Sequence, residues 1–205
     1  VSMVDLSPAS FAVLVILILC GGSLLLPLAP LLYRRFIYAK IKASYPSQFR
    51  IDNAPVLSEF DIQDRALLVM IRIIITYVAA VMFMGFLIIY AAMHLEEDDP
   101  ELASRGYSRE ANAAFLSISA FNNAGYTLSS ESVFHLQDNP VAYLTLALLI
   151  LAGNTMAPVF YRLLIIAELF IRHSLDIKTC TVELQFILDN PRKVSVNTLP
   201  TREVI

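Results

Sequence analysis

The chain has 205 residues, 57% of them hydrophobic and only 16% charged, with a net charge of −3 at neutral pH. Soluble globular domains carry about a quarter charged residues, so this balance argues against a soluble enzyme and for a bilayer. The small net charge excludes a nucleic-acid partner, and two cysteines, Cys20 in an apolar run and Cys180 in a polar tail, make no disulfide framework.

Three uncharged apolar stretches are each long enough for the about 20 helical residues that cross about 30 Å of hydrocarbon. The first covers 11–33, where Gly21 and Gly22 allow close helix approach and Pro27 and Pro30 predict a kink near its end. The second covers 73–93 and the third 141–161. The chain opens on Val1 with no basic region before the first run, and reads as an internal segment without a signal peptide. Basic residues set the orientation. Arg34, Arg35, Lys40, Lys42, Arg50 and Arg65 follow the first span, and Arg162, Arg172, Lys178, Arg192 and Lys193 end or follow the third. Glu96, Glu97, Asp98, Asp99 and Glu101 follow the second instead. The positive-inside tendency then places the linker and tail in the cytoplasm, and the acidic segment and the N-terminus outside.

Between the second and third spans, Ser108 is a good N-cap and Glu110 an acidic first turn, with Ala111, Ala114, Phe115, Ile118 and Phe121 at helical spacing. A helix over 109–121 is about 20 Å long, too short to cross. Both ends of the segment must return to the outside, so the consistent solution is a half-helix that enters the membrane and comes back. Asn122, Asn123, Ala124, Gly125 and Tyr126 do not extend it comfortably, and Gly125 can take a positive φ. Non-helical backbone at membrane depth is tolerated where it lines a watery path, and its carbonyls there replace part of a cation's hydration shell. The competing reading makes 108–139 an extracellular surface helix and loop.

The remaining polar residues read as follows. Asn154 and Thr155, in the middle of the third span, are placed to hydrogen-bond to the loop. Pro158 predicts a bend, Arg162 a snorkelling side chain, and Glu168 with Arg172 an i,i+4 ion pair. The acidic run at 96–101 reads as a solvated loop, with cation focusing at the outer mouth as the alternative. His94, His135 and His173 are scattered, and no motif for catalysis or phosphate binding is present, so no enzyme and no cofactor is expected.

The run Ser119-Ala120-Phe121-Asn122-Asn123-Ala124-Gly125-Tyr126-Thr127-Leu128, followed by Gly153-Asn154-Thr155-Met156-Ala157-Pro158, resembles the Trk/HKT superfamily of potassium and sodium transporters. The stretch from Leu188-Asp189-Asn190-Pro191 through Leu199-Pro200 is similar to the family's link to a following repeat. The resemblance implies an all-α, potassium-channel-like membrane protein of four membrane–pore loop–membrane repeats, each with a re-entrant half-helix and an extended filter strand. Residues 1–39 would be the inner helix of a preceding repeat and 40–64 a cytoplasmic linker. Residues 65–172 would be a complete repeat (outer helix 65–95, pore helix and filter 108–127, inner helix 141–172), with 173–205 a cytoplasmic link. The implied ion site is a monovalent cation, K+ or Na+, at the carbonyls of Asn123, Ala124 and Gly125. Asn122 and Tyr126 would flank it, with Ser119, Phe121, Asn154 and Thr155 in support. Partners would be plasma-membrane lipid, the remaining repeats and a second copy in a homodimer. In the family a glycine in every filter goes with potassium and a serine in the first loop with sodium, so Gly125 alone is compatible with both. The alternative is a membrane-embedded accessory or scaffold subunit without a conduction path.

Overall fold

The computed structural model describes residues 8–22, 25–44, 55–94, 107–129, 133, 136, 139–177 and 179–190. The acidic run at 96–101, His135 and the tail from Pro191 lie outside the described residues. Among the described residues every regular element is a helix: α1 (Pro8–Gly21), α2 (Leu25–Ser44), α3 (Pro55–Met93), α4 (Arg109–Phe121), α5 (Pro140–Gly153), α6 (Ala157–Ser174) and α7 (Thr181–Asp189).

α3 is the one described helix that is long and apolar enough to cross a bilayer unaided. Its stretch Asp61–Met93 holds an 18-residue window of mean hydropathy 2.4 and is about 50 Å long at 1.5 Å per residue. The helix starts ten residues before the expected 65. Pro55 suits a first helical position, and no glycine or proline follows before Gly85. Hydropathy therefore marks the lipid-facing part of α3 and misses its polar first turns, and the expected linker 40–64 is helical at both ends.

The first and third spans differ more from expectation. Each is interrupted: α1 ends at Gly21 and α2 begins at Leu25, and α5 ends at Gly153 and α6 begins at Ala157. A proline ring clashes with the carbonyl four residues before it. Four residues before Pro158 is Asn154, which lies between α5 and α6. Pro158 thus produces a break rather than a kink, and both helices that end early end at a glycine, the poorest helix former after proline. Pro30 is accommodated inside α2.

The chain forms two compact units. The first joins α1, α3 from Tyr77 onward, α4 and α5. Its core gathers Ile18 of α1, Phe115 of α4 and Leu128, with Phe11, Leu14 and Val15 packed against them. The ring of Phe11 lies 5.3 Å from that of Phe115 and 6.2 Å from that of Tyr107. α3 and α5 approach at Gly85, where a Cβ would stand 2.7 Å from the methyl carbons of Leu149. Large apolar side chains stay exposed along α3 and α5, among them Phe83, Met84, Leu144 and Leu148. A surface this apolar suits lipid or further protein, not water.

The second unit holds most of α2, the first part of α3, α6 from Pro158 and α7. It is laced with ion pairs: Arg35 to Asp64 at 3.6 Å, Arg65 to Glu183 at 3.3 Å and Arg72 to Glu168 at 2.6 Å. The expected Glu168–Arg172 pair is present at 2.7 Å, and Arg172 also donates to the carbonyl of Thr179 at 2.7 Å.

Candidate functional site

The site is built on α4. Ser108, in extended conformation, caps it by accepting a hydrogen bond from Ala111 N–H at 3.3 Å, which satisfies one of the orphan donors of the first turn. The Glu110 carboxyl is held below its ordinary range, first by its own backbone N–H and then by the hydroxyls of Ser108 and Tyr90. Helix boundaries and cap match the sequence reading.

Contacts with α3 fix where α4 runs. At its amino end, Tyr90 donates to Glu110 at 3.2 Å and Arg109 Nη1 lies 3.3 Å from His94 Nδ1. Further along, the Ser117 hydroxyl donates to the Met82 carbonyl at 2.7 Å. At the carboxyl end, the ring of Phe121 lies 6.2 Å from that of Tyr77. Tyr77 is the middle residue of the Asp61–Met93 stretch, and Tyr90 and Tyr77 are about 20 Å apart along the helix. α4 therefore runs from the end of α3 to its middle. The chain then comes back: Asn139 donates to the Ala92 carbonyl at 3.1 Å while its Oδ1 caps α5. Glu110 at the start of α4 and Asn139 at the start of α5 thus both lie beside the last turns of α3.

The end of α4 is a Schellman motif. Asn123 is left-handed (φ 54°) and its N–H bonds to the Ala120 carbonyl at 3.0 Å, while Ala124 N–H bonds to the Ser119 carbonyl at 2.9 Å. Ala124 and Ile118 supply the accompanying apolar contact, packing on the same cluster. Asn122 N–H bonds to Ile118 O at 3.1 Å. Gly125 is left-handed again (φ 70°). The buried Ser119 hydroxyl then acts twice, accepting from Tyr126 N–H at 2.9 Å and donating to Tyr126 O at 2.7 Å. The amides of 122, 123, 124 and 126 are thus all turned back toward α4. Among the described residues no donor reaches the carbonyls of Asn123 or Ala124. The expected extended strand is replaced by this turn, because positive φ at 123 and 125 prevents a regular strand.

Phe121 is fully buried, and its carbonyl lies so close to Gly153 that a Cβ there would stand 1.7 Å away. Tyr77 donates to the next carbonyl back, that of Ala152, at 2.8 Å. Gly22 meets the Asn122 side chain in the same way. The structure brings together Ser119, Phe121, Asn122, Asn123, Ala124, Gly125 and Tyr126. It does not bring in Asn154 or Thr155. Both are exposed at the break after α5, and among the described residues neither side chain bonds to 119–127. Gly153 and Tyr77 hold the loop instead. Gly153 is visible in the sequence only as part of the Gly153–Pro158 motif, and a tyrosine in an isoleucine-rich helix carries no signal. Asn112 Nδ2 is buried without a hydrogen-bond partner among the described residues.

Chemically, the loop offers neutral oxygens. Among the described residues no three His, Cys, Asp or Glu side chains gather to hold a metal. Beside the loop lies a cavity of about 320 Å³, lined by Ser119, Asn123, Gly125 and Tyr126 and by α5.

Residues 56–205 match the TrkH family, described as cation transport protein. The chain is 28% identical over 149 residues, 72% of its length, to a protein of Dictyostelium discoideum named for potassium transport. It is 27% identical over 112 residues, 54% of its length, to an Oryza sativa subsp. japonica protein named as a cation transporter of the HKT kind. The matched regions span 22% of each of these relatives. By the extent of the family match, this is a membrane protein, and the chain belongs to the TrkH family of cation transport proteins.

Proposed function

We propose that residues 107–129 form one pore-lining loop of a longer protein that passes K+ or Na+ across the plasma membrane, entered from the outside. This chain supplies one quarter of a filter ring, with the carbonyls of Asn123, Ala124 and Gly125 as cation ligands. The observation that carries the reading is the placement of the carboxyl end of α4 at the middle of α3. There the partially negative end of the helix, about half an elementary charge, lies at mid-span depth, and the amides of Asn122, Asn123, Ala124 and Tyr126 are committed to α4. The acidic segment faces outside and the tail beyond α7 faces the cytoplasm.

Gly125→Arg tests the reading. No atom lies within 4 Å of a Cβ built on Gly125, so an arginine there sets a positive charge beside the ligands without displacing the core. Positive φ costs a non-glycine residue about 1–2 kcal/mol, and Gly125→Ala carries that cost without the charge. In the full-length protein, rubidium and sodium uptake should be abolished by Gly125→Arg and largely kept by Gly125→Ala, at equal membrane expression. Normal uptake by Gly125→Arg removes the pore assignment.

A further inference from the structure

At the end of α4 remote from the loop, four polar side chains meet within one compact unit. His94 stands just past the end of α3 and is exposed, while Arg109 and Glu110 open α4. Arg109 Nη1 lies 3.3 Å from His94 Nδ1. The Tyr90 ring stands nearly perpendicular to that imidazole, with centroids 4.6 Å apart, and its hydroxyl donates to Glu110 at 3.2 Å. Among the described residues, the titratable and charged groups facing His94 are thus Tyr90 from α3 and Arg109 and Glu110 from α4.

A guanidinium only donates, so its contact with His94 needs a lone pair on Nδ1. The imidazole is then neutral, with its proton on Nε2. A second proton removes that acceptor and sets one positive charge against another at the same short distance. Arg109 already stands at the partially positive end of α4, which makes a further cation there less welcome. The same proton draws the ring toward Glu110. A charge on His94 helps to hold that carboxyl low, after its own backbone N–H and the hydroxyls of Ser108 and Tyr90. Imidazole is the side chain whose charge ordinarily changes between about pH 5 and 8, while guanidinium and carboxylate keep theirs.

We infer that His94 is a proton-operated tie on the amino end of α4. Neutral, it accepts from Arg109 and fixes the first turn against α3. Charged, it repels Arg109 and turns to Glu110, which takes that carboxylate from Ser108 and Tyr90 and loosens the turn. The inference rests on the pore reading in one respect: this end of α4 faces outside, so the controlling proton is external and acid outside lowers cation uptake.

Hydrogen exchange in the purified full-length protein tests it, with rates corrected for the intrinsic effect of pH. Protection of the amides of 111–116 should fall about threefold between about pH 7.5 and about pH 5.5, the size set by an exposed charge pair. His94→Asn puts a non-titrating Oδ1 in the place of Nδ1 and should hold the same protection at both values. Arg109→Gln lacks the repelled charge and should respond less than wild type. No fall in the wild type, an equal fall in His94→Asn or an undiminished fall in Arg109→Gln overturns the inference. Rubidium uptake by cells should drop with outer acid by a similar factor in wild type and stay level in His94→Asn; level uptake in both overturns the control of transport. Exchange is read without transport, so normal uptake by Gly125→Arg removes the pore and leaves these protections unchanged.

Discussion

Ser119 and Glu168 each tie two stretches of chain together, and they do so with different chemistry. Ser119 holds the loop after α4 with one neutral hydroxyl that both donates and accepts. Glu168 holds α3 and the end of α6 with a carboxylate shared by Arg72 and Arg172. The contrast extends through both units. Beyond the exposed amino end of α4, where Glu110 and Arg109 meet Tyr90 and His94, the ties run from side chain to backbone, at Tyr77, Ser117 and Asn139, and helices meet at glycines. In the second unit the ties are ion pairs with partly exposed side chains. Desolvating a charge costs several kcal/mol per ion, so charged ties belong where water reaches, and hydroxyl and amide ties where it does not. The kind of tie therefore reports depth.

This comparison can be broken by substitution, and the largest effect is expected at Gly153. A Cβ there meets the Phe121 backbone, which cannot yield as a side chain can, so Gly153→Ala should cost about 3 kcal/mol or more. Thermal unfolding of the purified full-length protein should show a clear loss, whereas Gly21→Ala, with nothing within 4 Å, should be silent. Equal effects would mean that the close approach is not a constraint. Next comes Ser119→Ala, which strands the Tyr126 N–H at a cost of about 1–3 kcal/mol. Rubidium uptake should fall about tenfold, taking 1.4 kcal/mol of that cost at the filter, and the stability loss should be unaffected by salt.

Asn123→Val should cost about 1–2 kcal/mol, since a branched side chain resists the left-handed region. Asn123→Gly should be neutral within a few tenths, because glycine is the usual residue at that cap position. A neutral Asn123→Val in the same unfolding assay would deny the cap. The smallest effect is expected from Glu168→Gln. Arg72 is half exposed, though Glu168 and Arg172 are less so; pairs that water reaches contribute about 1 kcal/mol or less, and the difference from wild type should shrink in 1 M salt, where the Debye length is about 3 Å. A large, salt-resistant loss there would erase the contrast between the units.

Much of α4 was legible in the sequence. Ser108, Glu110 and the apolar spacing defined both ends of the helix, because caps and periodicity are local. The half-length of α4 between two spans also signalled a loop that returns to its own side. The breaks after Gly21 and Gly153 were not legible to hydropathy, which averages over the two or three residues that matter. The proline rule locates the second, since Pro158 clashes with the carbonyl of Asn154. Asn123 went unread as a cap because Gly125, two residues on, drew the expectation of positive φ. That Asn154 and Thr155 make no hydrogen bond to the loop among the described residues has a different cause. Which side chains meet the loop depends on how α5 is rotated against α4, and no local pattern encodes that.

One feature of the loop reaches beyond its shape. From Ser119 to Ser129 there is no Asp, Glu, His, Lys or Arg, and dipoles alone would hold an ion there. Such a grip loosens as easily as it forms, which favours throughput over capture. On the pore proposal it also has nothing to protonate across the physiological range, so cation uptake is expected not to respond to acid through this loop.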